Sequence, residues 1–211
     1  MRAESGILTR VPDTSPKSNY DALYQKGGFG YDAKVDTWRT WVKNHYIAEF
    51  GLKPGMCLLD VGCGDGFWAM LLAEHGIEVA GIDQAQSGIE VARHRLPGAR
   101  FVQANINEPL PFDPGSFDVA FMRGFSCLGS PAIDSDATVR QLTNVARMVR
   151  PGGMLLASTY TTLSGVQDAG SVWVNHRVST IAAAIEKVAD PFKMVRVDNY
   201  LQVAAYRRDD L

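Results

Sequence analysis

A glycine-rich loop is the segment of this sequence best suited to hold a ligand. Residues 58–66 read LLDVGCGDG, an apolar run that leads directly into Gly62, Gly64 and Gly66. Glycine permits sharp turns with positive φ and lets a ligand approach the main chain closely. The loop therefore predicts contact between a ligand and bare backbone.

Two acidic residues accompany this loop. Asp83 closes the next apolar run, where a carboxylate can accept hydrogen bonds from the two hydroxyls of a ribose. Such a contact is expected because the carboxyl ends of neighbouring parallel strands open into one crevice. Asp60 precedes the glycines and is an acid suited to the neighbourhood of a cationic amino group. Together these residues predict a ligand that carries a ribose.

Two familiar nucleotide sites fit the loop poorly. The dinucleotide pattern G-x-G-x-x-G requires a third glycine where this chain has Phe67, and a P-loop requires a Lys-Ser or Lys-Thr pair that does not follow the glycines. A nicotinamide-dependent oxidoreductase is therefore disfavoured and stays an alternative.

The rest of the sequence alternates strand-length apolar runs with segments of helical period. Strands are predicted at 56–61, 79–83, 101–104, 117–122 and 154–158. Helices are predicted between them, one over 67–75 and one beginning at a capping box formed by Ser87 and Glu90. This alternation predicts an α/β fold in which helices cover both faces of a mostly parallel sheet.

The two ends of the chain depart from this alternation. After a helix near 181–188, apolar runs at 194–197 and 201–206 are so close that they predict an antiparallel hairpin. Residues 1–32 are predicted to form a flexible arm and lid. Residues 33–211 are predicted to form a single domain, in which a helix covers 33–50 and the core of the sheet starts at about residue 55.

The ordered motifs resemble those of the class I S-adenosylmethionine-dependent methyltransferases. Residues 58–66 resemble the first motif of that family, and Asp83 the acid that closes its second strand. The stretches 101–124 and 148–159 resemble its third to fifth strands. The resemblance implies a Rossmann-like seven-stranded sheet of order 3-2-1-4-5-7-6 with strand 7 antiparallel. It also implies in-line transfer of a methyl group from S-adenosylmethionine to an O, N or C atom of a small molecule, leaving S-adenosylhomocysteine.

By this resemblance, the loop and the strand ends would contact the cofactor. Gly62, Cys63 and Gly64 would line its methionine part and sulfur, and Asp83 would bind its ribose. Gln84 would lie beside the adenine, Asn105 would contact the adenine amino group, and Ile106 would lie near the adenine ring. The backbone of Met122 and Arg123 would contact the ammonium group of the cofactor. The family often has Asp where this chain has Asn105, which can accept the same hydrogen bond without a charge.

Candidate acceptor contacts and bases come from the aromatic and histidine residues. Tyr24 and Tyr31 lie among glycines and fit a lid as well as they fit packing, while Tyr160 and Arg123 follow strands at the expected acceptor side. His176 and His45 are the candidate bases. His45 lies on the apolar face of the first long helix, where a satisfied core histidine is the stronger alternative.

The composition of the chain limits the classes of binding partner that are expected. The formal net charge is −2 and no long run of Lys or Arg occurs, which disfavours nucleic acid and membrane surfaces. Three cysteines without a C-x-x-C pair predict neither disulfides nor a metal site and favour the cytoplasm. The sequence leaves open whether the protein is a monomer or a homodimer, and whether it is a catalytically inactive cofactor-binding partner.

Overall fold

The computed structural model of the chain describes residues 20–161, 174–197 and 199–209. Within these ranges the strands are β1 Cys57–Val61, β2 Glu78–Asp83, β3 Arg100–Gln103, β4 Phe117–Arg123, β5 Val149–Tyr160, β6 Ala189–Val197 and β7 Tyr200–Arg207. The α-helices are α1 Tyr20–Gln25, α2 Val35–Val42, α3 Phe67–Ala73, α4 Gln86–Arg95, α5 Asp136–Met148 and α6 Val178–Glu186. Short 3₁₀-helices cover Tyr31–Lys34 and Ser126–Gly129, and a π-helical segment covers Lys43–Ala48. The predicted arm before residue 20 and most of the loop after Tyr160 lie outside the described residues.

The seven strands of the described residues form one sheet of order β3-β2-β1-β4-β5-β7-β6. Strands β1 to β5 pair in parallel, and β7 runs antiparallel to both β5 and β6. The predicted sheet order and the carboxyl-terminal hairpin are confirmed.

Helices pack on both faces of the sheet, as predicted. One buried cluster joins α5 and α6 to the sheet and contains Leu142, Val145 and Ile181. The other joins α3, α4 and the π-helical segment to the opposite face and contains Tyr46 and Leu71. Because α3 has the sequence FWAMLLA, which is apolar on every side, it is almost completely enclosed between the sheet and its neighbours.

The sheet order positions a crevice at the carboxyl ends of β1, β2 and β4. The chain leaves β1 toward β2 on one side, and β4 lies on the other side of β1. Ligands of open α/β sheets bind at such a reversal of strand order. The loop Gly62–Gly66 and Asp83 both lie at this point.

The predicted capping box of α4 is wrong. The helix begins at Gln86, and its N-cap residue, Ala85, provides no side-chain cap. Instead, Asp83 accepts the amide N–H of Ala85 at 2.8 Å, and the amide and hydroxyl of Ser87 donate to Asp21 at 3.0 and 2.8 Å. Side chains from outside the helix therefore satisfy its amino-terminal donors.

Three other elements differ from their predicted bounds. The predicted helix over 33–50 is a 3₁₀-helix, an α-helix and a π-helical segment in succession. Strand β5 is longer at both ends than 154–158, and β6 begins at Ala189, ahead of Pro191. The proline is tolerated because β6 is an edge strand and its pairing is irregular between Pro191 and Lys193.

Candidate active site

A cavity of about 1220 Å³ opens at the carboxyl ends of the central strands. Ligand pockets commonly enclose about 300–1,000 Å³, so this one has room for two molecules. Its lining joins the glycine loop, the end of β2, the segment after β3, the end of β4 and the end of β5. Most residues that the sequence predicts for the cofactor line it: Gly62, Cys63, Asp83, Gln84, Asn105, Ile106 and Arg123.

The glycine loop is fixed in a shape that other residues adopt with difficulty. Gly62 and Gly64 have φ values of 78° and 53°, in the left-handed region. The amides of Gly62 and Cys63 both donate to the carbonyl of Ile82, at 2.8 and 3.0 Å. The loop is thus tied to the end of β2 and presents its backbone toward the cavity. Cys63 is buried, and burial raises the pKa of its thiol well above the ordinary value.

Asp83 joins the loop to α4. Its two carboxylate oxygens accept the amides of Gly64 at 2.9 Å and Ala85 at 2.8 Å. Burial raises the pKa of Asp83 above its ordinary value, and the hydrogen bonds from these amides oppose that effect. A carboxylate has about four acceptor positions, so these two bonds leave acceptor capacity for a ligand at the cavity wall.

Asp60 lies beneath the loop, next to residues that line the cavity. The residue is 2% exposed, and its Oδ2 has no hydrogen-bond partner among the described residues. Burial, with a smaller contribution from the nearby Asp83, raises the pKa of Asp60 to about 8. At neutral pH this carboxyl is therefore mostly protonated, and an approaching cation would favour its ionised form.

The segment after β3 forms one wall of the cavity, where the sequence predicts the adenine. The side-chain oxygen of Asn105 accepts the amide of Asn107 at 3.0 Å and its side-chain amide at 3.1 Å. The Asn105 oxygen is therefore engaged in a local turn. The Ile106 carbonyl accepts the side-chain amide of Asn144 at 2.8 Å, which holds this wall against α5.

Arg123, at the end of β4, lies in a cluster of aromatic rings. Its guanidinium carbon is 3.7 Å from the ring centroid of Trp68 and 5.0 Å from that of Tyr200. The rings of Tyr31 and Trp38 are 5.6 and 5.7 Å away. Nη2 donates to the Tyr200 hydroxyl at 3.0 Å, and Nη1 donates to the Tyr31 hydroxyl at 3.5 Å. Nε is buried and has no partner within the described part of the chain. We call these five residues the Arg123 cluster.

Sequence reasoning did not assign three members of this cluster to the site, namely Trp38, Trp68 and Tyr200. Trp68 lies in the first turn of α3, where it reads as one of several apolar core residues, and Tyr200 begins β7, some 77 positions from Arg123. The available signal was the position of Trp68 directly after the glycine loop. The Tyr200 hydroxyl also donates to that of Tyr160 at 2.5 Å, which brings the predicted acceptor contact Tyr160 to the same end of the cavity.

The short helix α1 covers the glycine loop. Asp21 accepts both donors of Ser87, and these hydrogen bonds lower the pKa of Asp21. Tyr24, which is buried, lies so close to the loop that a Cβ at Gly64 would overlap its hydroxyl group. A second tie comes from Arg95, which bridges Asp32 and Asp65 at 2.6 and 3.1 Å. These contacts place the predicted lid residues Tyr24 and Tyr31 at the cavity wall.

The two candidate histidines do not line the cavity in the described residues. The Nε2 atom of the His176 ring lies 2.7 Å from the carbonyl oxygen of Ser130. The backbone carbonyl of His176 accepts a hydrogen bond from the Thr161 hydroxyl. The ring of His45 packs on Trp41, with the centroids 4.5 Å apart. Two of the predicted cofactor residues, Gly64 and Met122, are also outside the cavity lining, together with Asp60.

In the described ranges, no group of three or more His, Cys, Asp or Glu side chains is placed to hold a metal ion. In those same ranges, no helix combines the length and the apolar character needed to cross a bilayer.

Residues 58–153 match the protein family described as a methyltransferase domain. The chain is 29% identical over 166 residues to a malonyl-[acyl-carrier protein] O-methyltransferase of Serratia marcescens, covering 79% of this chain and 62% of the relative. It is 35% identical over 124 residues to a ubiquinone biosynthesis O-methyltransferase of Coxiella burnetii, covering 56% and 49%. The chain thus spans about half to two thirds of the length of these relatives.

A solved structure of a Pyrococcus horikoshii protein superimposes with a TM-score of 0.70 at 14% identity, covering 92% of this chain and all of the other. That likeness concerns the fold, which is the Rossmann-like fold of class I methyltransferases. The family match over residues 58–153, the ordered motifs and this fold together support a class I S-adenosylmethionine-dependent methyltransferase domain. The cofactor of this class is S-adenosylmethionine.

Proposed function

We propose that this protein transfers the methyl group of S-adenosylmethionine to an oxygen atom of a small-molecule acceptor. The observation that carries the proposal is the single cavity with two chemically different ends. We assign Gly62, Cys63 and Asp83 of its lining to one end, and Arg123, Tyr160 and Tyr200 to the other. The volume of about 1220 Å³ is sufficient for a cofactor and an acceptor side by side. That both relatives reported above are named O-methyltransferases supports oxygen as the accepting atom.

The residues at the first end fit the cofactor. Asp83 has acceptor positions left for the ribose hydroxyls, and the unpartnered Oδ2 of Asp60 suits an ammonium group near the loop. Gly62 and Gly64 allow the close approach that the methionine part requires. Beyond them, the backbone of Arg123 adjoins the ammonium site, and Gln84, Asn105 and Ile106, which line the cavity, surround the adenine.

Bound S-adenosylmethionine supplies an electrophilic methyl group on a positively charged sulfur. The task left to the protein is to align the acceptor with that methyl group and to exclude water. Orientation of this kind can contribute about 7 to 11 kcal/mol to lowering a barrier. We assign the exclusion of water to α1, because Asp21 anchors it to α4 and Tyr24 covers the loop.

Calorimetry tests the cofactor part of this proposal. We expect S-adenosylhomocysteine to bind the full-length protein, and NAD to show no heat of binding. Conversion of S-adenosylmethionine to S-adenosylhomocysteine in the presence of small hydroxy and carboxylic acids then tests turnover. Binding of NAD without S-adenosylhomocysteine would overturn the assignment. Binding of S-adenosylhomocysteine without turnover of any acceptor would favour the inactive partner instead.

A further inference from the structure

We propose that the acceptor is a small carboxylic acid whose carboxylate binds Arg123 and itself receives the methyl group, forming a methyl ester. This inference rests on the proposed methyl transfer and adds the substrate class and the residue that recognises it. Four features of the described residues support it: the charge of Arg123 without an ion pair, its unsatisfied Nε donor, its place in the cavity, and the chemistry of the surrounding groups.

The charge of Arg123 has no anionic partner among the described residues. Its neighbours are aromatic rings and the hydroxyl groups of Tyr31 and Tyr200. None of the ion pairs that the structure describes includes it. The buried Asp60 is close enough for Arg123 to lower its pKa, but it forms no ion pair with Arg123 in the described residues. Because a buried charge is costly without a partner, this site favours an anionic ligand.

The guanidinium also has the right geometry to bind a carboxylate. It carries five N–H donors in a planar fork that matches the two oxygens of a carboxylate. Tyrosine hydroxyls accept from Nη1 and Nη2, while Nε is buried without any partner in the described part of the chain. A carboxylate placed at the Nε edge would satisfy this donor. Trp68, stacked at 3.7 Å, holds the plane of the fork in place.

The position of Arg123 favours the acceptor as the source of this anion. Asp83 ends β2, Arg123 ends β4, and β1 lies between them. Since neighbouring strands are about 4.8 Å apart, the two residues lie roughly 10 Å apart across the sheet. Arg123 pairs in register with Ser158 of β5, on the side of Tyr160 and Tyr200. This is the end of the cavity away from the proposed ribose site.

The groups around the cavity suit an acceptor that is already ionised. No histidine of the described residues lines it, Asp65 is paired with Arg95, and the other lining acids, Asp83 and Glu108, lie at the proposed ribose and adenine walls. Burial raises the pKa values of Tyr24 and Tyr200, which keeps both hydroxyls protonated at neutral pH. A neutral alcohol would need a base to take its proton, whereas a carboxylate needs none.

The step balances without an added reagent. A carboxylate oxygen forms a bond to the methyl carbon as the bond between that carbon and sulfur breaks. The bonding pair stays on sulfur, so the products are a neutral methyl ester and the neutral thioether of S-adenosylhomocysteine. Arg123 holds the carboxylate in line, and no proton is transferred.

Paired acids and amides test the proposal with the full-length protein. The probes are small aliphatic and aromatic carboxylic acids and their primary amides, titrated into the protein saturated with S-adenosylhomocysteine. We expect acids to bind and the matching amides to bind at least about tenfold more weakly, since hydrogen bonds to charged groups are the stronger ones. With labelled S-adenosylmethionine, the label should appear in a methyl ester.

Variants then separate the two possible sources of the anion. Arg123→Gln should weaken binding of the acid by about 10- to 100-fold, and this loss should exceed any change in the affinity for S-adenosylhomocysteine. Arg123→Lys keeps the charge but loses the fork, and it should give an intermediate loss. Arg147→Gln removes an equal charge from an exposed position on α5 and should change neither binding constant.

Three results would overturn the proposal, and each differs from failure of methyl transfer itself. Equal binding of acids and amides by the unaltered protein would do so without any variant. Loss of S-adenosylhomocysteine binding in a folded Arg123→Gln protein would assign the guanidinium to the carboxylate of the cofactor. Label in an ether or amine product would exclude carboxylates while leaving the proposed transferase intact.

Discussion

Replacing Asp83 by asparagine removes the charge that holds the glycine loop and that we assign to the ribose. The carboxylate accepts the amides of Gly64 and Ala85 at 2.9 and 2.8 Å. Asparagine keeps one acceptor oxygen and turns an NH₂ donor toward one of these amides. One bond to the loop and one bond to the ribose are therefore lost. The loop bond exists with and without ligand and therefore affects stability, whereas the lost ribose bond, worth about 1.5 to 3 kcal/mol for a charged acceptor, weakens binding by about 10- to 100-fold in Kd.

Isothermal titration with S-adenosylhomocysteine measures this loss, and thermal unfolding measures the loop contribution. For a domain of this size, each kcal/mol lowers Tm by about 2 to 4 °C. Asp113→Asn is the matched control, because Asp113 is exposed and we give its side chain no role in the site. If folded Asp83→Asn binds S-adenosylhomocysteine within threefold of the unaltered protein, Asp83 does not bind the ribose.

Three further substitutions test other parts of the account. Gly64→Ala, which introduces a Cβ into the Tyr24 hydroxyl at a φ of 53°, should weaken S-adenosylhomocysteine binding by about tenfold or more in calorimetry. Gly98 has open space around it, so Gly98→Ala should leave S-adenosylhomocysteine binding unchanged. If the two alanine variants weakened binding equally, the described packing of Tyr24 on the loop would be contradicted. The pKa of Asp60 is raised from 3.8 to about 8, so the folded protein retains this proton while the unfolded chain releases it. The free energy of unfolding should therefore fall as the pH rises between these values, and Asp60→Asn should flatten that slope in denaturant titrations; an unchanged slope would refute the assignment. His176→Gln should change kcat less than threefold, because His176 contacts the Ser130 carbonyl and does not line the cavity. If His176→Gln lowered kcat by about 100-fold with normal cofactor binding, His176 would again be the candidate base.

The elements that depend on local pattern could be predicted from the sequence. Apolar runs and glycine punctuation locate the strands, and the short link before Tyr200 predicts the antiparallel hairpin. The loop and Asp83 were also predictable, because glycines after an apolar strand and an acid at the end of the next one have a direct physical meaning.

Contacts between distant residues could not be predicted in this way. The Ser87 capping box is wrong because Asp21, 66 positions away, accepts the Ser87 donors. The Arg123 cluster draws Trp68 from α3 and Tyr200 from β7, and no local pattern joins these residues. Likewise, Pro191 reads as a helix stop, and only the position of β6 at the sheet edge explains its place in a strand.

We assign the crevice at the ends of β1 and β2 to the adenosine part of the cofactor. A crystal structure of the full-length protein with S-adenosylhomocysteine tests this assignment. Both ribose hydroxyls should lie within about 2.6 to 3.2 Å of the Asp83 carboxylate, and the sulfur should lie on the side of Arg123. Adenosine bound away from Asp83, or a crevice closed by protein side chains at saturating ligand, would contradict it.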